Sequence, residues 1–405
     1  MGSVLQNQAF QGRPSEQVGH YASLLSGQLN ALRERMYPPQ AQKSLRKFTA
    51  PESARLLGIA ESTIRQMSLD GEGPDPERLS NGRRIYSLSE INQLRALLAN
   101  KRPAESLKFQ PNRQQGEGLQ VLAVSNFKGG SAKTTTSVHL AHFLALQGYR
   151  VLAIDLDPQA SMSAMFGAQP ELDVASNETL WSAIRYDEER RPLKEVIRKT
   201  YFDGLDLVPG NLELMEFEHA TPQAIASGQA RGDGVFFRRI AAALQEVEAD
   251  YDVVIFDTPP QLGYLTLGAL FASTGLLITV HPAMLDVASM NQFLLMMSDI
   301  MSVIEEAGGH MDMSFLRFLI TRHNPNDAPQ QQVVGLLRML FGEAVLNSTV
   351  YETTAVANAG LDKRSLYEIE ANSMGRDTYK RAIESMDGVN HEVLNLIKDC
   401  WGRAQ

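Results

Sequence analysis

Apolar positions along this chain follow different rhythms in its two parts. From residue 119 onward, short apolar runs at 120–125, 150–155, 205–208, 252–257, 276–281, 315–321 and 345–350 read as strands, and the stretches between them are long enough for helices. Strand and helix alternating at this spacing predict an α/β fold over residues 119–405: a doubly wound, mostly parallel sheet.

The front of the chain lacks that alternation. Between Glu16 and Met36, the residues Val18, Tyr21, Leu25, Leu29, Leu32 and Met36 fall near one face of a helix, which Pro38-Pro39 should end. A lone amphipathic helix at a terminus needs a surface to cover its face. For residues 1–44 the expectation is a second copy of the chain, hence dimerisation.

Residues 45–100 carry denser punctuation. Thr49 is placed to cap a helix with Pro51 in its first turn, Gly58 to make a tight bend, and Ser62-Thr63 to open a second helix. Arg78 to Ser87 then reads as a hairpin with an Asn81-Gly82 turn, and Ser89 as the cap of a helix through Ala99. Two helices and an arginine-tipped hairpin predict an N-terminal winged helix-turn-helix module. Residues 101–118 hold proline, glycine and polar residues without periodicity and read as a linker. At the far end, Val393, Leu394, Leu396, Ile397, Cys400 and Trp401 fall at helical spacing. The polar face of that tail mixes Glu392, Asp399, Lys398 and Arg403, which suits docking on the core better than a membrane surface.

Composition narrows the classes. At 405 residues, 43% hydrophobic and 21% charged, the chain is long enough for two or three globular domains. No continuous apolar run of about 18 residues is present, so no membrane span is expected. The first twenty residues lack an apolar signal core, so secretion is not expected either. Cys400 is the only cysteine, which rules out an intrachain disulfide and fits a reducing cytoplasm. The net charge of −9 is unevenly spread: residues 1–118 hold 16 Lys and Arg against 11 Asp and Glu, and the remainder 22 against 36. A basic front on an acidic body suggests where a polyanion would first be held.

The candidate chemistry sits at three strand ends. The first apolar run passes into Lys128-Gly129-Gly130-Ser131-Ala132-Lys133-Thr134-Thr135. Glycines let backbone N–H groups turn inward around a phosphate, and a helix starting near Thr134 aims its free N–H groups at the same anion. In such a loop Lys133 reaches the β- and γ-phosphates of ATP and the Thr134 hydroxyl ligates Mg²⁺. The second run ends in Asp155-Leu156-Asp157-Pro158, and a later one in Asp257-Thr258-Pro259-Pro260. Asp257 is expected to hold Mg²⁺ through water, with Thr-Pro-Pro as a stiff switch beside the γ-phosphate. Three such ends in this order point to one site at the carboxyl edge of a parallel sheet.

The usual phosphate loop has glycine where this chain has Phe127 and Ala132. The loop resembles instead the deviant Walker A sequence, K-G-G-x-G/A-K-T-T, of the ParA/MinD family. That resemblance implies roles. Lys128 would be the signature lysine that crosses a two-fold axis to the nucleotide of the other subunit, Asp157 would position the attacking water, and Asp155 would stand behind the Mg²⁺. Thr321-Arg322-His323-Asn324-Pro325 matches the region that holds adenine in relatives, with Arg322 and Asn324 the candidates. The single cysteine separates the chain from the nitrogenase iron protein, whose cluster needs cysteine ligands.

The front module is similar to winged modules of the MerR type. By that resemblance Ser62, Thr63 and Arg65 would enter the major groove, and Arg83, Arg84 and Tyr86 would grip backbone or minor groove. The whole chain resembles long-form ParA partition ATPases, most closely the RepA partition proteins of repABC plasmids. The resemblance implies an ATP-dependent homodimer in the cytoplasm, associated with the nucleoid. It would bind DNA nonspecifically, respond to a ParB/RepB-type centromere-binding protein and repress its own operon. Lys363, Arg364, Arg376, Lys380 and Arg381 are the candidates for the nonspecific DNA surface. Two other readings share the loop: a MinD-like membrane-positioning ATPase, and a nucleotide-sensing repressor without a segregation role.

Overall fold

The computed structural model describes residues 13–36, 43–230, 232, 235–306, 308–370 and 375–403, with side chains of 29–36 excluded. Two compact units divide the chain at residue 43. The first holds helix α1 (Pro14–Met36). Val18, Tyr21 and Leu25 on its apolar face are all exposed. The side chains of Leu29, Leu32 and Met36, and the stop expected at Pro38-Pro39, lie outside the described residues.

In the second unit, α2 (Ala50–Leu57) starts at Thr49, which shares a reciprocal capping box with Glu52, and ends at Gly58. The φ of +62° at Gly58 lies in the left-handed region, where a residue without Cβ is unstrained. Helix α3 (Glu61–Leu69) follows. Strands β1 (Phe48–Thr49), β2 (Glu77–Arg78) and β3 (Arg84–Tyr86) form a small antiparallel sheet in the order β1-β3-β2. The cap of α4 (Leu88–Lys101) is Ser87, not Ser89: its hydroxyl accepts from Glu90 N, and the Glu90 carboxylate receives Ser87 N in return. Residues 101–118 form a packed connection. Helix α5 (Ser106–Phe109) buries Phe109, and Arg113 donates to Tyr251 O and Glu117 O.

The main sheet has seven strands in the order β10-β9-β4-β8-β5-β7-β6. These are β4 (Gln120–Ser125), β5 (Val151–Asp155), β6 (Arg198–Lys199), β7 (Leu205–Val208), β8 (Val253–Asp257), β9 (Gly275–Val280) and β10 (Phe315–Ile320). All pairings are parallel except that of the edge strand β6 with β7. Alternate residues feed opposite cores. Leu122, Val124, Ala153 and Ile255 join one cluster, and Val121, Ala123, Ile154 and Phe256 the other, as the two-residue period of a strand requires. Segment 345–350, expected as a strand, makes one isolated bridge to β10, Phe318–Val345, and a second bridge, His323–Tyr351, lies just beyond both. Its polar centre, Asn347-Ser348-Thr349, supplies no apolar side chain to extend the ladder.

Four helices matter to the site: α6 (Lys133–Leu146), α7 (Met284–Glu306), α8 (Thr354–Leu361) and α9 (Arg376–Cys400). By length and composition α7 is apolar enough to cross a membrane. It nevertheless connects β9 to β10 and packs Met290, Phe293, Met297 and Ile304 into the core. The tail docks as expected: α9 buries Val393, Leu394 and Ile397, and Trp401 Nε1 donates to Gly118 O at 2.8 Å. One cluster joins Leu57, Ile64, Tyr86 and Leu94 of the front segment to Leu140, Phe143 and Tyr149 around α6, so residues 45–101 share their core with the large sheet.

Candidate functional site

Register brings the three strand ends together. Val124 pairs with Asp257 and Asp155 pairs with Asp257 across adjacent parallel strands, so the loop after β4 and both strand-end carboxylates share one edge. The loop is braced from behind. Asn126 Nδ2 donates to Thr279 O at 2.5 Å, Lys128 N to Asn126 Oδ1 at 2.9 Å, Thr279 Oγ1 to Ser131 Oγ at 3.0 Å and Thr321 Oγ1 to Ser131 O at 3.0 Å. Gly129 and Gly130 make the turn, Gly130 with φ +78°. Ala132, where glycine is unstrained, takes φ 67° and ψ 27° immediately before α6. An L-residue in this region costs about 1 kcal/mol. The strain sits at the position that sets the direction of the first N–H groups of α6.

The two lysines diverge. Lys133 is buried, with Nζ 3.3 Å from Lys128 O inside the loop. Burial lowers its pKa, against the pull of Asp257 and Asp157. Lys128 points away from the loop's centre: its Nζ pairs with Asp286 Oδ2 of α7 at 2.7 Å, and its side chain is 39% exposed. Asp286 was not legible as a site residue; an acid in the first turn of a helix is ordinary without knowledge of what stands opposite.

The carboxylates fit a cation. Asp257 is fully buried; Oδ1 accepts from Ser137 Oγ at 3.1 Å, Oδ2 has no hydrogen-bond partner, and the nearby Thr134 hydroxyl favours its charged form. Burial, followed by the nearby Asp155 charge, raises its pKa. Asp155 is raised by burial too, although Ser163 N, Ser163 Oγ and Asp157 N all donate to it. A buried carboxylate oxygen without a donor, beside a threonine hydroxyl and a second acid, is what a hard dication relieves. The donor set therefore fits Mg²⁺, which Thr134 and Asp257 would hold, while Asp155 is already engaged by protein donors. Among the described residues no group of three or more His, Cys, Asp or Glu forms a metal cluster. Most ligands of such an ion would be phosphate and water oxygens. Asp157 is half-buried on the same edge, with Oδ1 accepting from Gln159 N at 2.9 Å.

The remaining candidates scatter. Thr135 gives its carbonyl to His139 Nδ1 at 2.7 Å and lines a cavity of about 350 Å³ with Thr134, Ser161, Lys363 and Arg364. Arg322, also at positive φ (50°), reaches Gly130 O at 3.4 Å and pairs with Glu352. Asn324 is exposed, and its side chain caps Asn326 N rather than reaching the loop. Arg376, Lys380 and Arg381 are exposed on the first turns of α9; Lys380 pairs with Glu384 and Arg381 lies over the Tyr351 ring. In the front segment Ser62, Arg65 and Arg83 are exposed, and Thr63 and Arg84 half-buried. Tyr86 is 1% exposed. It packs in the front core with Leu57, Ile64 and Leu94 rather than on the surface expected for a DNA contact, a correction: β3 buries its last residue. The bracing residues Asn126, Thr279, Thr321 and Ser163 escaped sequence reading, although the first three stand at or just after a strand's carboxyl end.

A nucleotide cradle at the carboxyl edge of a parallel sheet, with one lysine inward and one outward, makes this a phosphate-loop NTPase of the ParA/MinD kind. Comparison with known proteins agrees. A family model described as an AAA domain matches residues 119–307. A Rhizobium rhizogenes protein provisionally named replication protein A is 50% identical over 383 residues, 95% of this chain and 94% of that one. SopA of Escherichia coli K12 is 30% identical over 373 residues, 90% of this chain and 92% of SopA. The solved structure of a partition protein shares the fold at TM-score 0.65 and 19% identity, over 95% of this chain and 99% of that one. The ATP complex of a Cyanothece McdA variant does so at 0.55 and 19%, over 72% and 99%. The chain belongs to the ParA-type family of plasmid-partition ATPases.

Proposed function

We propose that this chain is a Mg²⁺-dependent ATPase whose ATP-bound form is a face-to-face homodimer that holds DNA and lets go on hydrolysis. The observation that carries the reading is the divergence of the lysines: Lys133 lies within its own loop, whereas Lys128 extends outward to a carboxylate on α7. A cation held at the rim by one ion pair is available to a second anion. In the dimer that anion is the partner's triphosphate, and exchanging Asp286 for it ties dimer lifetime to the γ-phosphate.

Bound Mg-ATP would supply the phosphoryl group and neutralise its charge. The chain's own residues then divide the work. Backbone N–H groups of Gly129 to Thr134 cradle phosphate oxygens, Lys133 neutralises them, Thr134 and Asp257 stand at the metal, and Asp157 orients the attacking water. Arg322, against Gly130 O, and Asn324 are the candidates on the nucleoside side.

Dimerisation doubles a weak basic surface, and two weak contacts on one polyanion bind far more tightly than one. Lys363, Arg364, Arg376, Lys380 and Arg381 are assigned to that nonspecific surface. The module with Ser62, Thr63 and Arg65 on α3 and Arg83 and Arg84 on the hairpin is assigned to operator DNA and autorepression. A ParB/RepB-type centromere-binding protein is the partner that stimulates turnover, and the protein works in the cytoplasm on the nucleoid. The membrane-positioning alternative is disfavoured because the apolar face of α9 is buried on the chain itself.

The test is fluorescence anisotropy on a random-sequence duplex with ADP and with a nonhydrolysable ATP analogue at several salt concentrations. Binding with the analogue alone, with a steep salt slope reduced in an Arg364→Ala, Arg381→Ala double variant, supports the reading. Equal binding in both nucleotides contradicts it.

A further inference from the structure

The phosphate-loop helix has a second end, and a buried cation sits on it. Arg95 of α4 is 4% exposed. One guanidinium nitrogen, Nη2, donates to two carbonyls: Leu146 O at the last residue of α6, at 2.6 Å, and Leu56 O in the last turn of α2, at 3.0 Å. Both carbonyls lie where a helix leaves its C=O groups without intrahelical partners and where its dipole is negative. Among the described residues no carboxylate forms an ion pair with Arg95, and its Nε is buried without a hydrogen-bond partner. The charge is balanced by two helix ends.

The fit depends on Gly148, just beyond α6. Its φ is +95°, and a Cβ built there would lie 3.1 Å from Arg95 Cδ and 3.2 Å from Nε. Around this contact the cores are continuous: Leu57, Ile91, Leu94 and Leu98 belong to the same cluster as Phe143, Leu144 and Tyr149. Asn92, one turn before, donates to Asp203 Oδ2 at 2.8 Å.

We propose that Arg95 is a positioning residue that transmits nucleotide state from the phosphate loop to the DNA-reading helices. The α6 helix is a rod of 14 residues, about 20 Å long, with its N-terminus at the phosphates and its C-terminal carbonyl on Arg95. Nearly all of it is buried, so a displacement at one end is felt at the other rather than absorbed. The same nitrogen that follows Leu146 O also holds Leu56 O, and α2 carries α3 through the tight turn at Gly58. With one nitrogen on two carbonyls, a shift of one helix end weakens one bond or drags the other helix along. A flexible tether would give the two sites no such common atom. The inference rests on the operator-binding role proposed above for residues 45–100.

The experiment uses the full chain and two variants: Arg95→Met, which removes the cation, and Gly148→Ala, which pushes it aside. Three quantities are read: affinity for a fluorescent ATP analogue, affinity for a labelled duplex from upstream of the protein's own gene against a scrambled duplex of equal length, and hydrogen exchange of residues 50–69 with and without Mg-ATP. In the wild type, nucleotide should change specific duplex affinity about tenfold and alter exchange in 50–69. Both variants should bind nucleotide within about threefold of wild type, while the nucleotide-dependent change in duplex affinity falls to about twofold or less and the exchange response disappears. Arg95→Lys, with a cation able to reach a carbonyl, should restore part of it. Retention of the full nucleotide response in Arg95→Met overturns the inference. A wild type that does not distinguish the two duplexes, yet shows nucleotide-dependent exchange in 50–69 that Arg95→Met abolishes, overturns the operator reading and leaves the transmission standing. A wild type with no response in either assay overturns both.

Discussion

The loop edge of the large sheet and the front segment, residues 45–101, satisfy their backbones in opposite ways. Around the loop, local rules are broken: Ala132 and Arg322 hold positive φ, Asp257 keeps a buried oxygen without a donor, and Lys133 is buried with its Nζ on a carbonyl rather than a carboxylate. In the front segment the backbone rules are kept, although Ser53 Oγ, Arg84 Nε, Tyr86 OH and Arg95 Nε are buried there without partners. Glycines take the left-handed positions at Gly58 and Gly82, and capping boxes open α2 and α4. The lesson is that strained non-glycine backbone beside a buried carboxylate oxygen without a donor marks where a ligand completes the structure, whereas a buried unpartnered donor alone does not. Ordinary caps and turns mark where the chain completes itself, and there any function must lie on the outer faces.

The sharpest break of this comparison is to remove chemistry without removing structure. Asp157→Ala should retain ATP binding and the dimer but lower turnover by about a hundredfold or more, the usual worth of a group that orients water. Single-turnover phosphate release measures it, and unimpaired turnover would place the water elsewhere.

In the front segment the expected large effect is on stability. Tyr86→Ala leaves a cavity in the shared core and should cost about 3–5 kcal/mol in urea unfolding. Tyr86→Phe removes a hydroxyl that has no partner and should leave both stability and duplex binding unchanged. A selective loss of DNA binding in Tyr86→Phe would return this residue to the DNA surface.

A third effect lies between the regions. His139 Nδ1 faces the Thr135 carbonyl, so it carries the proton, and Nε2 accepts from Leu366 N at 3.1 Å. Burial lowers its pKa to about 4. The folded state thus keeps histidine neutral below its unfolded value of 6.5: its contribution is complete above that pH and is lost as pH falls toward 4. The limit is about 3 kcal/mol. A His139→Gln variant should flatten the fall in stability between pH 6.5 and 4, and an unchanged slope would contradict the assignment.

The smallest effect is Ala132→Gly. Relief of positive φ, offset by the entropy of glycine in the unfolded chain, should raise stability by about 0.5 kcal/mol or leave it level. Denaturant midpoints decide it; a clear loss would mean that the loop is not strained.

The same contrast explains what was legible. Six of the seven apolar runs form strands because burial on both faces demands apolar residues throughout. The seventh, 345–350, lies beside β10 without forming a ladder, interrupted by its polar centre. Lys128, Lys133, Asp155 and Asp257 stand out as candidates because phosphate and metal chemistry allows few residue types at fixed positions along a strand-loop-helix, and the fold gathers them at one sheet edge. Tyr86 was misread because a tyrosine in an arginine-rich hairpin serves a core as well as a ligand. Asp286 and Arg95 were invisible because their meaning lies wholly in partners far along the chain, Lys128 and Leu146.

The central claim is that the two lysines serve different subunits. Mass photometry of the wild type, Lys133→Gln and Lys128→Gln with ADP or a nonhydrolysable ATP analogue, alongside nucleotide titration, tests it most directly. The account predicts an analogue-dependent dimer for the wild type. Lys133→Gln should lose nucleotide affinity by about a hundredfold or more, about 2.7 kcal/mol. Lys128→Gln should bind nucleotide within about threefold of wild type and remain monomeric. Equal loss of nucleotide in both variants, or an undiminished dimer in Lys128→Gln, would contradict it.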